Sequence, residues 1–241
     1  MIYIVFSDVH SNLEALHAFI EKIQSITHDK KVFLGDAVGY GADPNACVDW
    51  IRENADIILA GNHDYAVAGK TDFTYFNSHA YAACIWTRQE LTEENKLFLS
   101  SLPVIKEEDG ISWAHASPFE PGKWHYVSSL QAGTENFKYF NTPVCFIGHS
   151  HVHRVFEEDP TGKVEDCLLA EELKPDCRYI VNAGSIGQPR DGNPDPAFAI
   201  YNSETRALKL CRFKYNCAAT QFKILKNGLP AILAERLSYG R

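Results

Sequence analysis

The chain has 241 residues, 45% of them hydrophobic, enough to bury one substantial core and a better fit to a single domain over residues 1–241 than to two small ones. A formal net charge of -8 argues against a nucleic-acid backbone as partner, since such binding draws on many Lys and Arg that neutralise phosphates. The seven cysteines include no CxxC pair and support neither a zinc ribbon nor a disulfide framework.

Residues 2–6, Ile-Tyr-Ile-Val-Phe, form a short β-branched and aromatic run ending in Ser7-Asp8, which reads as a buried strand followed by a loop. The run is too short for a signal peptide or a membrane span, so no membrane is expected and the cytoplasm is the default location. Ser11 and Glu14 have capping-box spacing, and Leu13, Leu16, Ile20 and Ile23 then share one helical face. The grammar repeats: Val32-Phe33-Leu34 runs into Gly35-Asp36, a helix follows over 45–54, and Ile57-Ile58-Leu59 runs into Gly61-Asn62-His63-Asp64. Residues 75–101 read as helical, with a second helix starting at Thr92-x-x-Asn95. Strands are predicted at 104–106, 111–114, 144–147, 154–157, 163–169, 179–182, 197–202 and 207–213, and a helix at 218–225. An α/β first half followed by a strand-rich second half predicts two sheets packed face to face with helices outside.

Five segments that follow predicted strands carry metal-binding or proton-handling side chains: Asp8-Val9-His10, Gly35-Asp36, Gly61-Asn62-His63-Asp64, His115 and Gly148-His149-Ser150-His151. Ligand sites of open α/β sheets lie beyond the carboxyl ends of the strands, so these loops can converge on one point. Oxygen and imidazole donors without thiolate suit Mn, Fe, Zn or Ni and do not choose among them. Two such ions, typically ~3.5–4 Å apart, can hold a phosphoryl oxygen and activate a water. Asp36, alone after its glycine, is the natural carboxylate to bridge them.

These blocks, in this order across residues 8 to 151, resemble the five-block signature of the calcineurin-like metallophosphoesterases. The resemblance implies an α/β (α+β) four-layer αββα sandwich of two mixed sheets flanked by helices. It implies one divalent metal held by Asp8, His10, Asp36 and His151, a second held by Asp36, Asn62, His115 and His149, and a metal-bridging hydroxide that attacks phosphorus in line. His63 would lie near the leaving group and act through hydrogen bonding as general acid, with Asp64 orienting it. The segments Gly35-Asp36-x-Val38-Gly39-Tyr40-Gly41, Asn182-x-Gly184-Ser185-Ile186-Gly187-Gln188-Pro189-Arg190-Asp191-Gly192 and Gly228-Leu229-Pro230 with Arg236-Leu237 look like the bacterial and archaeal phosphodiesterase-like branch. Two positions depart from it: Ala116 stands where many relatives have Gly, and Phe119 where the branch often has Arg.

Taken alone, Asp8 reads equally well as a turn residue, and Asn62-His63 as a polar turn. His153 extends the alternation of His149 and His151 but lies beyond the family pattern and reads as structural. His17, His28, His79 and His125 have no such company, His125 being the nearest to a site loop. Arg190 fits a substrate phosphate, or else a loop-stapling salt bridge with Asp191 or Asp195. The aromatic residues of 75–86 read as helix-packing core rather than a base-stacking platform.

The function expected is hydrolysis of a small phosphomonoester or phosphodiester, a nucleotide among the candidate substrates. Diadenosine tetraphosphate and other dinucleoside polyphosphates are the alternative substrate, a nuclease is disfavoured by the acidic balance, and a non-catalytic interaction module on the same fold is the alternative of another class. Nothing in the sequence indicates oligomeric state.

Overall fold

The N-terminal apolar run forms β1 (Ile2–Phe6) in the computed structural model, which describes residues 1–167 and 171–241. It is followed by α1 (Leu13–Ile23), β2 (Lys30–Phe33), α2 (Pro44–Asn54) and β3 (Ile57–Ile58); the three strands pair in parallel, which the intervening crossover helices require. Three helices come next, α3 (Asn62–Val67), α4 (Ser78–Glu90) and α5 (Glu93–Ser101). The second half holds β4 (Ile105–Glu108), β5 (Ile111–Ala114), α6 (Leu130–Asn136), β6 (Val144–Ile147), β7 (Arg154–Glu158), β8 (Val164–Asp166) and β9 (Arg178–Asn182). The chain then returns to the first sheet with β10 (Ala197–Asn202) and β11 (Leu208–Arg212) and closes with α7 (Cys217–Lys226) and α8 (Ala231–Glu235).

The two sheets are mixed, in the orders β11-β10-β1-β2-β3 and β4-β5-β6-β9-β7-β8. Side chains of a strand alternate between faces, and β1 shows what that does here. Tyr3 and Val5 face the other sheet, where Tyr3 meets Trp113 with ring centroids 5.5 Å apart, and Tyr201 meets Phe146 at 5.4 Å. Ile4 and Phe6 face outward into the helices, packing with Leu16 and Phe19 of α1. On the far side of the second sheet Cys145, Ile147, Phe156 and Ile180 are covered by Phe137 and Phe140. Three buried apolar seams therefore separate four layers, and the fold is an αββα sandwich. No helix among the described residues is long and apolar enough to cross a membrane.

Local differences from the sequence reading have local causes. The cap of α1 is Asn12, whose Oδ1 accepts from the Ala15 amide at 3.1 Å, and not Ser11. Ser11 is drawn into the preceding loop, at φ 54°, by its amide bond to the Ala37 carbonyl. The predicted cap at Thr92 is present, its side chain accepting from the Asn95 amide, and it separates α4 from α5. Helices α3 and α6 were not foreseen, being too short to show a periodic face. The strand predicted over 163–169 is observed as β8; Leu168 and Leu169 lie outside the described residues.

Candidate metal centre

Strands β1, β2, β3, β5 and β6 deliver their following loops to one place, and the backbone there is bent in an unusual way. Asp8, His10, Asp36, His149 and His151 all have positive φ, between 49° and 65°. Such conformations cost a non-glycine residue roughly 1–3 kcal/mol each and persist only where the surroundings impose them. Here the loops brace one another: the Asp8 amide donates to the Gly35 carbonyl (2.9 Å), His10 to Asp36 (3.0 Å) and Gly148 to His115 (2.8 Å).

The side chains are held as firmly. Asp8 accepts the His149 amide on Oδ2 (3.1 Å) and Asp36 accepts the His63 amide on Oδ1 (2.9 Å), leaving one oxygen of each carboxylate turned inward. Each of three imidazoles is hydrogen-bonded through Nδ1 to a backbone carbonyl, His10 to Val38 (2.8 Å), His115 to Leu34 (3.0 Å) and His151 to Gln188 (2.6 Å). A carbonyl oxygen accepts a hydrogen bond, so Nδ1 carries a proton and Nε2 faces inward, its lone pair open to a cation whenever the ring is neutral.

The inward atoms form two groups that share one residue. Asp8, His10, Asp36 and His151 make the first, Asp36, His115 and His149 the second, and the donor atoms in each lie within 4.8 Å of one another. His151 Nε2 is 3.2 Å from Asp8 Oδ1, and His10 Nε2 and His115 Nε2 are each 3.5 Å from Asp36 Oδ2. Asn62 is also buried here, 8% exposed.

These atoms fit a divalent cation better than they fit one another. His10 Nε2 and His151 Nε2 are 3.1 Å apart, a repulsive contact for two lone pairs. Asp8 Oδ1, Asn62 Oδ1, His115 Nε2 and His149 Nε2 are buried without a hydrogen-bond partner among the described residues, a heavy penalty unless a cation meets them. The carboxylates pull positive charge in. Burial opposes protonation of His115, yet Asp36 beside it raises the ring to about 9. Burial likewise opposes ionisation of Asp8 and Asp36, but the neighbouring histidines hold both carboxyls below their usual range.

His63 lies against this cluster without joining either group. Its ring packs on Tyr40 (4.6 Å) and Phe76 (5.0 Å), and its Nδ1 meets Cys84 Sγ at 3.5 Å. Asp64, expected to orient His63, does something else. Its carboxylate accepts the amides of Asp36 (2.8 Å), Gly61 (2.9 Å) and Val38 (3.3 Å), and so braces the two loops that carry Asp36 and Asn62. Burial, with the Asp36 charge adding, pushes its carboxyl up to about 7 against those amide bonds. Cys84 carried no local signal, because it reaches His63 from α4 across the fold.

Close approach also explains a glycine. A Cβ on Gly61 would stand 2.0 Å from Asp36 Oδ1 and 2.6 Å from the Asp36 amide nitrogen. Gly61→Ala is expected to cost about 1–3 kcal/mol through overpacking and to displace the Asp36 carboxylate. Thermal melts and metal-binding calorimetry check this, and wild-type values in both would contradict it.

A cleft of about 710 Å³ opens beside the cluster, lined by Asn62, His63, Tyr75, Phe76, Trp124 and Tyr126 among others. Tyr126 stacks on His149, with ring centroids 4.2 Å apart. Tyr75 departs from the sequence reading of 75–86 as core: it precedes α4 and is 65% exposed at the cleft, whereas Phe76 beside it packs on the core as expected.

Arg190 makes neither expected salt bridge: Asp191 pairs with Arg212, while Arg190 donates to Gln188 Oε1 (2.9 Å) and lies over the Tyr40 ring. His153 is outside both groups, and burial holds its ring down to about 4. His125 pairs with Glu120 (3.2 Å) and stacks on Phe119 (5.1 Å), so Phe119 is occupied by its own neighbours. His17, His28 and His79 also lie outside both groups.

Residues 1–206 match the family described as the calcineurin-like phosphoesterase superfamily domain. The chain is 40% identical over 245 residues to the uncharacterized protein MJ0912 of Methanocaldococcus jannaschii, covering 98% of this chain and 97% of that one. Its structure resembles the crystal structure of a metallophosphoesterase from Sphaerobacter thermophilus, with a TM-score of 0.89, 36% identity, and coverage of 100% of this chain and 99% of the other. The hypothetical protein PH1004 of Pyrococcus horikoshii shares the fold, with a TM-score of 0.81 at 18% identity over 100% of this chain and 98% of that one.

Proposed function

Because the chain belongs to the calcineurin-like phosphoesterase superfamily, we propose that it is a two-metal phosphoesterase whose centre is built on Asp36. The observation that carries this reading is the pair of buried donor groups that have Asp36 in common. Asp8, His10, Asp36 and His151 would hold one divalent ion, and Asp36, Asn62, His115 and His149 the other. Bound there, the ions supply Lewis acidity toward a phosphoryl oxygen and lower the pKa of a water near it.

The chain's own residues do the remainder. Burial, only partly opposed by Asp36, takes His63 down to about 4, so the ring is neutral at pH 7. Cys84 is neutral as well, burial raising its thiol to about 12. Its S–H can donate to Nδ1, which places the ring proton on Nε2, available as a hydrogen bond to a leaving oxygen. Asp64 keeps the Asp36 and Asn62 loops in register, and Arg190 is the contact for non-bridging phosphate oxygens. The aromatic lining of the cleft favours an ester with a planar leaving group, a nucleotide among them. A binding module that had abandoned catalysis predicts lost ligands, whereas every ligand that the family pattern implies is present in this sequence together with His63.

The test is hydrolysis of bis-(p-nitrophenyl) phosphate and p-nitrophenyl phosphate by protein reconstituted with Mn, Ni, Co, Zn or Mg, with a dinucleoside polyphosphate in the same panel. Metal-dependent turnover of at least one ester is expected. Two ions bound with no turnover of any member of the panel would overturn the reading.

A further inference from the structure

Two arginines next to the metal cluster have no Asp or Glu partner among the described residues, in a chain with acid to spare. The sequence carries 31 Asp and Glu against 23 Lys and Arg, yet among the described residues no Asp or Glu side chain pairs with Arg190 or Arg236. Arg190 donates through Nη2 to Gln188 Oε1 (2.9 Å), and its Nε is buried with no hydrogen-bond partner. Arg236, in the turn after α8, donates through Nε to the main-chain oxygen of Arg241, the last residue of the sequence (2.6 Å), and leaves its two Nη groups without an Asp or Glu partner among the described residues. Each guanidinium lies over the same ring, that of Tyr40, at 5.6 Å and 5.4 Å from its centroid.

Tyr40 ties this pair to the site. Its ring packs on His10 and on His63, each at 4.6 Å, and the Arg190 amide is bonded to the His151 carbonyl at 3.1 Å. Two like charges held together on one aromatic ring repel each other. Burial, and after it the charge of Arg190, lowers Arg236 to about 10. Such an arrangement is tolerated where an anion is to be received, because planar guanidinium groups match the oxygens of a phosphate.

We propose that Arg190 and Arg236, sharing Tyr40 as their floor, form a seat for a doubly charged phosphate group. The seat makes Arg236 a determinant of specificity for monoester or phosphate-terminated substrates over simple diesters. This rests on the phosphoesterase reading above. A phosphodiester brings one negative charge, which Arg190 can meet alone. A phosphomonoester has a second ionisation near pH ~6 and brings two by pH 8, and only then is the second guanidinium needed.

The experiment compares wild type, Arg236→Gln and Arg236→Lys on p-nitrophenyl phosphate and bis-(p-nitrophenyl) phosphate at pH 8, with calorimetry of inorganic phosphate binding to the same metal-loaded proteins. For Arg236→Gln the monoester KM is expected to rise about tenfold with kcat within about twofold, while the diester KM stays within about twofold. Phosphate binding should weaken by a similar factor, and Arg236→Lys should recover part of both because it restores the charge. An equal rise in KM for both esters, or unchanged phosphate affinity in Arg236→Gln, overturns the seat. A merely structural role at the end of the chain would lower the melting temperature and kcat for both esters alike, and Lys would not rescue it. If wild type cleaves neither ester, the phosphoesterase reading fails while the calorimetry still decides on the seat.

Discussion

Asp36→Asn is expected to empty both metal positions at once and to reduce turnover by roughly 10³-fold or more. Loss of an outer-shell partner of a metal ligand already costs ~10–100-fold in affinity or activity, and Asp36, common to both donor groups, is the proposed direct ligand of both ions. The substitution is nearly isosteric. Its oxygen can still accept the His63 amide, now bonded to Asp36 Oδ1 at 2.9 Å, so the loop should keep its shape. The inward oxygen, however, becomes an amide NH₂ facing His10 Nε2 and His115 Nε2, which lie 3.5 Å from Asp36 Oδ2. A neutral donor there meets the two histidines and repels a cation. Metal content by elemental analysis and affinity by calorimetry are the measurements, with circular dichroism to show that the fold is intact. Two ions bound at wild-type affinity would remove Asp36 from the bridging position.

His63→Ala is expected to leave metal content unchanged and to slow kcat by ~10²–10³-fold for an ester with a poor leaving group, the loss typical of removing one hydrogen-bond donor to a developing oxyanion. The dependence on the leaving group is the informative part. Nitrophenolate departs without much help, so the loss should be several-fold smaller for nitrophenyl esters than for an alkyl ester. A vacancy in the packing alone, where the ring meets Tyr40, Phe76 and His10, would slow both esters alike. The neutral state of His63 has a further consequence. Bound cations can only push its pKa below the value of about 4 that burial imposes, so no kinetic limb between pH 6 and 9 should disappear in the mutant. Equal slowing of nitrophenyl and alkyl esters would take His63 out of hydrogen bonding to the leaving oxygen.

The placement of the cluster was readable because each contributing segment is local. A buried strand that ends in a polar residue announces a loop at the carboxyl edge of a sheet, and the residues of β1, β2, β5 and β6 show that pattern within six or seven positions. The layered fold follows from the same alternation, since Tyr3 and Val5 must face one side and Ile4 and Phe6 the other. Side-chain roles that depend on a distant element were not readable. Asp64 follows His63 directly and invited the reading that it orients the ring, yet its carboxylate is consumed by three amides of converging loops.

Strand ends, ligand types and their order are thus properties of short stretches of sequence, and so is the chemistry they can support. Which atoms finally touch is settled by how the layers close. The sheets bring Asp36 between His10 and His115, α4 carries Cys84 to His63, and the C-terminal turn sets Arg236 beside Arg190 on Tyr40. None of these contacts has a periodicity or a neighbour in the chain to announce it, because each is made by burying apolar faces that lie far apart in sequence and carry the polar groups along with them.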